Sequence, residues 1–262
     1  MTKPIFSVYR KAVWYISHPT HWKHFVFVVG RRLKWALFGR QDRKEEALAW
    51  CQKFLKDDNV IIEQVTGEAS RPFPEELKRM IADKEKELEQ YQIRLGDGAN
   101  LELLYQLIAL TDTKRVIETG VAYGWSSLIM LHALQSREGH LISTDKPMPD
   151  ESYNKLVGSV VPDNLQKFWT LFKEADVEGL PKALKQFERF DLCHYDSDKS
   201  YEGRMWAYKA LWSQLREGGV FMSDDIGDNL AFKHFSEGMG REPLVSHSIT
   251  SAGDRYVGVL VK

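Results

Sequence analysis

Three carboxylates and one amine stand out for what they could do together: Asp196, Asp224, Asp225 and Lys199. A carboxylate-only set of oxygen donors suits a hard cation such as Mg2+, Mn2+ or Ca2+. Three acids at one rim would repel one another unless a cation or a set of donors compensated them. Asp224 and Asp225 are consecutive, and consecutive residues on an extended strand point to opposite faces. They can share an ion only if the chain turns there, and Gly227 two residues later offers such a turn. The alternative is that Asp225 caps the next segment and Asp224 lines a ligand pocket.

A second constellation is the segment VIETGVAYGWSS at 116–127. It has a strand, a tight turn needing Gly120, a second glycine (Gly124) where the backbone must approach a ligand, and a helix start. A full dinucleotide fingerprint would have G-x-G-x-x-G, and Ala122 between the two glycines breaks that pattern. What strengthens the turn is an acid on each of two successive strands. Asp145 can accept both hydroxyls of a ribose, and Glu118 falls near the amino end of such a cofactor. Histidine adds little. His18, His21 and His24 straddle Pro19 with no acid nearby, which suits a surface role. His194, two residues before Asp196, is read as a satisfied core histidine, and Cys193 as a small buried residue. No G-x-S-x-G and no H-E-x-x-H is present.

The elements that must position these residues alternate. Helix 100–110 leads to strand 115–118, and helix 125–135 to strand 141–144, which ends at Asp145. A strand at 169–172 and a helix at 180–187 precede strand 190–195, ending at Asp196. Helix 202–216 and strand 220–223 end at Asp224-Asp225, then come helix 229–237 and a hairpin of 245–249 with 256–261. Such alternation predicts an α/β fold: a doubly wound, mostly parallel seven-stranded sheet with a C-terminal antiparallel hairpin. Glu118, Asp145, Asp196, Asp224 and Asp225 then lie along one sheet edge, where ligands bind.

Two stretches carry a family resemblance. ETGVAYGWSS at 118–127 resembles the first motif, E-x-G-x-x-x-G-x-S, of class I S-adenosylmethionine-dependent O-methyltransferases. HYDSDKSYEGR at 194–204 resembles the D-x-D-K-x-x-Y motif of the divalent-metal enzymes acting on catechols and caffeoyl esters. The resemblance covers roughly 98–262. It implies that Glu118, Gly120 and Gly124 hold the methionine part of S-adenosylmethionine, with Ala122, Tyr123 and Ser126 also binding the cofactor. It also implies Asp145 at the ribose, Ala175 and Asp176 at the adenine, and Asp196 beside the cofactor. The metal ligands would be Asp196, Asp224 and Asp225, holding Mg2+ or another hard divalent cation, with Lys199 and Asp196 at the reacting hydroxyl. Asp225 stands where the catechol-type enzymes have Asn; an Asp-Asp pair is similar to the metal-dependent sugar O-methyltransferases of macrolide pathways.

The 262 residues are 43% hydrophobic and 28% charged, which excludes wholesale disorder and fibrous repeats. Two distant cysteines, Cys51 and Cys193, exclude a disulfide scaffold and a C-x-x-C zinc site. No apolar run approaches the ~20 residues of a transmembrane helix, and no secretory signal is read, so a cytoplasmic location is expected. The net charge of −1 conceals an asymmetry: residues 1–44 hold ten Lys and Arg against one acid, and the remainder 26 basic against 36 acidic residues. Residues 1–95 are read as a helical N-terminal extension, with helices at 5–16, from Trp22 to Gly39, at 42–56 and at 73–95, and Thr20 as an N-cap. Gly96-Asp97-Gly98 marks the boundary to the catalytic domain, 96–262.

The expected activity is methyl transfer to a hydroxyl of a small molecule or sugar, with a vicinal diol favoured because it chelates a cation. Lys199 would take the proton if the site lowers its pKa. One alternative is a metal-free methyltransferase on a sugar, lipid or other small molecule, with Asp196 or His194 as base. Another is a non-catalytic protein of this fold working through its basic arm. A nucleic-acid partner is not expected, because the body is acidic. The arm 1–44, basic and rich in Trp, has three candidate partners: a membrane surface, the acidic body and a second subunit in a homodimer.

Overall fold

The computed structural model describes residues 13–39, 43–91, 93, 95, 100–250 and 253–262. Seven strands form one sheet: β1 (Arg115–Thr119), β2 (His140–Thr144), β3 (Trp169–Phe172), β4 (Phe190–Tyr195), β5 (Leu215–Ser223), β6 (Leu244–Thr250) and β7 (Gly253–Val261). Their order is β3-β2-β1-β4-β5-β7-β6. The first five are parallel, and β7 runs antiparallel between β5 and β6. The expected α/β sheet with its C-terminal hairpin is therefore present. The order reverses between β1 and β4, so the crevice for a ligand opens at the carboxyl ends of these two strands.

Strand alternation builds a core on each face. Val116, Leu141, Leu192 and Val220 point into one cluster, and their neighbours Ile117, Ile142, Cys193 and Phe221 point into the other. Ahead of the sheet come α1 (Trp22–Phe38), α2 (Lys44–Lys53), α3 (Asp58–Thr66), α4 (Glu75–Leu88) and α5 (Leu101–Ala109). Ile61, Ile62 and Leu77 join the first cluster, and Trp50 and Cys51 the second. The remaining helices are α6 (Trp125–Gln135), α7 (Glu151–Asn154), α8 (Asp163–Gln166), α9 (Asp176–Ala183), α10 (Tyr201–Gln214) and α11 (Ala231–Gly238).

Several boundaries differ from expectation. Helix α3 was not anticipated, although Asp57 caps its first turn and Gly67 ends it at φ 74°. Helix α9 begins four residues before the expected 180, because Asp176 and Glu178 occupy its first turn and Pro181 is accommodated inside it. Strand β5 starts at Leu215, not 220, since Gly218 and Gly219 exchange backbone hydrogen bonds with Lys262 instead of merely stopping a helix. The expected helix 229–237 is α11, starting two residues later, and a 3-10 turn, Ile226–Asp228, precedes it. Thr20 is no cap: Pro19–His21 form a 3-10 turn leading into α1. The highly charged helix runs Glu75–Leu88, shorter than 73–95. Of the expected helix 5–16, residues 13–16 are helical and the rest lie outside the described residues, as does Gly96-Asp97-Gly98.

Candidate active site

The glycine turn is shaped by protein contacts. Gly120 has φ +84°, and a Cβ there would fall against the backbone carbonyl of Asp196 at the end of β4. Gly124 has φ +95° and begins α6, and its Cβ would come 3.0 Å from the Cα of Gly158. Gly124 is needed where two chain segments cross. Asp145 ties the loop down: its Oδ2 accepts the N–H groups of Val121 and Ala122 at 2.8 and 2.7 Å. Burial raises its carboxyl above the ordinary range.

Glu118 faces the interior. It is fully buried, in register with Ser143 on β2 and His194 on β4. Its carboxylate accepts the hydroxyls of Ser126 (2.5 Å), Ser127 (2.6 Å) and Ser143 (2.7 Å). Glu118 and Ser126 thus brace the loop from beneath, and neither side chain opens on the crevice as placed. Tyr123 is likewise buried in the first core cluster, its hydroxyl donating to the Ile93 carbonyl. The sequence motif was legible, but the direction of these side chains was not.

Across the crevice, Asp176 at the start of α9 accepts the hydroxyl of Ser197, which also donates to Thr119 at 3.0 Å. Burial pushes the Asp176 carboxyl up to about 6. Its neighbour Ala175 is the buried N-cap residue of the helix. Asp176 therefore bridges the ends of β1, β2 and β4.

Asp196, Asp224 and Asp225 come together. Each offers a carboxylate oxygen, and these atoms lie within 4.8 Å of one another. Asp225 has φ +52°, so the chain turns at that residue and the two consecutive carboxylates converge. Lys199 Nζ sits among them, donating to Asp196 Oδ1 and to Asp225 Oδ2 at 2.9 Å. From β7, Arg255 donates to Asp225 Oδ1 at 2.7 Å. Asp224 is 1% exposed and its Oδ2 has no hydrogen-bond partner. Burial, then the neighbouring Asp196, push its carboxyl up to about 7. Burial would raise Asp225 too, but Lys199 and Arg255 outweigh it and hold that carboxyl low.

An orphaned, buried carboxylate oxygen beside two further hard donors fits a divalent cation. Lys199 departs from expectation. Burial would lower its pKa, yet the three carboxylates outweigh burial and raise it, the opposite of the direction a proton acceptor needs. His194 is a core histidine but not the satisfied one expected: it is fully buried, 3.7 Å from Glu118, and neither ring nitrogen has a hydrogen-bond partner. Cys193 is a buried small residue, as expected. Among the described residues His18, His21 and His24 join no metal-ligating group.

Three contributors were missed. Asn229 donates to the Lys199 carbonyl at 2.8 Å, Arg255 reaches Asp225, and Arg31 of α1 donates to Asp198 and Ser200. Arg31 sits over the Trp35 ring, 5.0 Å from its centroid. The basic arm thus meets the body on one side: the His24 N–H donates to Glu178 Oε1 at 2.5 Å and Lys34 lies 3.3 Å from Glu202.

Residues 117–226 match a family described as a methyltransferase domain. Solved structures share the fold. An O-methyltransferase from Bacillus cereus, in complex with S-adenosylhomocysteine, is 15% identical with a TM-score of 0.56, over 81% of this chain and 100% of its own. The O-methyltransferase TomG from Streptomyces achromogenes, involved in tomaymycin synthesis and solved with S-adenosylmethionine, is 19% identical with a TM-score of 0.55, over 78% and 96%. The seven-stranded sheet of this chain thus has the fold of these solved O-methyltransferases.

Proposed function

We propose that the chain transfers the methyl group of S-adenosylmethionine to a hydroxyl of a small molecule or sugar, with a divalent cation held by Asp196, Asp224 and Asp225. The observation that carries this reading is the orphaned Oδ2 of buried Asp224, at the end of β5, within reach of Asp225 and of Asp196 at the end of β4 beside the switch point of the sheet. The backbone of Gly120, Ala122 and Gly124, with Asp145, Ala175, Asp176 and Asp196, would hold the cofactor. Glu118, Tyr123 and Ser126 position that loop.

The reaction breaks an S–CH3 bond and forms an O–CH3 bond, and the hydroxyl proton must leave. The methyl sulfonium is already activated, so the residues act mainly by aligning the attacking oxygen. A bound cation supplies Lewis acidity that lowers the hydroxyl's pKa and favours a vicinal diol able to chelate it. Asp196 can accept the proton, while the Lys199 ammonium stabilises the developing alkoxide.

A metal-free route is the second reading, supported by Lys199 and Arg255, which already offset the acidic cluster. Mass-spectrometric screening of diol and single-hydroxyl acceptors, with Mg2+ and with EDTA, separates the two. Methylation at full rate by metal-free enzyme favours the second, and no methylation of any hydroxyl acceptor overturns both.

A further inference from the structure

The two faces of α1 differ. His24, Phe27, Val28, Arg31 and Trp35 are half-buried toward the body. On the opposite face Trp22, Val26, Val29, Leu33 and Leu37, between 38% and 75% exposed, follow one another at helical spacing. Lys23 and Arg32 flank this stripe and are exposed. An open apolar groove of about 520 Å3 runs from the stripe to the body, lined by Trp22, Lys23, Val26, Phe27, Val177 and Trp206.

We propose that this stripe lies on an anionic phospholipid surface. Exposed apolar area of this size on one helix marks an interaction face. Among the described residues no helix is long and apolar enough to cross a membrane, so α1 would lie in the interface plane. Charge selects the occupant. The first acid of the sequence is Asp42, and ten cations precede residue 45. A symmetric dimer through the stripe would bring two such arms together, since a two-fold interface pairs each patch with itself. Anionic headgroups instead complement the flanking cations, Trp22 suits the headgroup level, and the groove continuing from Trp22 and Val26 accepts an acyl chain. The inner face of the same helix holds Asp198 and Ser200 through Arg31. The lipid surface then lies about one helix diameter, ~10 Å, from the catalytic loop. This placement does not rest on the chemistry proposed above.

The test is sedimentation of the full chain with vesicles of phosphatidylcholine alone or mixed with phosphatidylglycerol, at low and high salt. The wild type should pellet with the mixed vesicles at low salt, release at high salt, and bind neutral vesicles weakly. The double variant Leu33→Glu with Leu37→Glu should lose roughly tenfold or more in vesicle affinity, and Arg32→Glu a smaller factor. Both variants should keep the wild-type melting temperature and S-adenosylhomocysteine affinity, because neither alters a site residue. The wild-type comparison needs no variant, so a misfolded variant leaves the test intact. Absence of wild-type binding, equal binding to neutral vesicles, or a wild-type dimer that the double variant splits in ultracentrifugation would overturn the proposal.

Discussion

Gly120 lies so close to Asp196 that a side chain at the first would run into the carbonyl of the second. The Asp196 N–H donates to the Thr119 carbonyl at 2.8 Å, so the ends of β1 and β4 are locked together at this point. The glycine thus sets the position of a candidate catalytic acid. Gly120→Ala meets both the clash and a φ of +84°, which alone costs about 1–2 kcal/mol. We expect a total loss of about 3 kcal/mol or more, a fall in melting temperature of roughly 6–12 °C, and weaker S-adenosylhomocysteine binding by calorimetry. An unchanged melting temperature with lost binding would mean that the space at Gly120 belongs to the cofactor after all.

Glu118 gathers three serine hydroxyls in a sealed interior, so its loss should register first as instability. Glu118→Ala leaves three buried donors without their acceptor, at about 1–3 kcal/mol for a group that finds no other partner. Urea unfolding should show a net loss of roughly 2–4 kcal/mol, with Ser127→Ala costing about 1 kcal/mol. Should Glu118→Ala unfold at the wild-type urea midpoint yet bind no cofactor, the carboxylate must turn to the crevice when the cofactor enters.

The acidic cluster predicts a pH dependence in which Asp224 shares its sign with Asp176, pushed up to about 6, so that the substitution Asp224→Asn is what separates the two. In the unfolded chain an aspartate titrates near ~4, whereas in the fold Asp224 is pushed up to about 7. As pH rises through that window the unfolded state releases its proton first, the folded state binds more protons, and stability falls. Asp225 acts oppositely: its carboxyl is held low, so its contribution is present above the unfolded value and lost as pH falls toward the folded one. Without metal, the melting temperature should therefore decline from about pH 5 to about 7, and Asp224→Asn should flatten the decline. Mg2+ should raise the melting temperature more at the alkaline end of this range, and not at all in Asp224→Asn. A metal effect that survives the substitution would move the cation elsewhere.

What the residues disclosed of this site followed from periodicity and turn chemistry. Helix Trp125–Gln135 and strands Trp169–Phe172 and Phe190–Tyr195 were read with their observed ends, because glycines and polar residues bracket apolar runs there. The meeting of Asp196, Asp224 and Asp225 followed from their places at strand ends. The left-handed turn at Asp225 did not, since non-glycine residues rarely adopt it. Glu118 was placed at the right strand end, but its serine partners were not foreseen, because local pattern does not reveal which neighbouring strand supplies Ser143. Arg255 was invisible, as only the insertion of β7 beside β5 brings it to Asp225.

Arg31 supplies the last prediction, because it joins the arm to the loop that carries Lys199. Its guanidinium bonds Asp198 and Ser200, and the Asp198 carboxyl is held below its ordinary value: burial would raise it, but the Ser200 N–H and hydroxyl and Arg31 prevail. Both partners are partly exposed, so the stability at stake is about 1 kcal/mol. The larger effect should be on the loop, since Asp198 lies between Ser197, bonded to Asp176, and Lys199. Arg31→Ala should speed amide exchange at 197–200 and lower kcat with little change in S-adenosylhomocysteine affinity. Arg31→Lys should recover part of the rate, retaining the charge without the planar guanidinium. Wild-type exchange at 197–200 in Arg31→Ala would show that the loop is ordered by the sheet alone, and that the arm touches the site without shaping it.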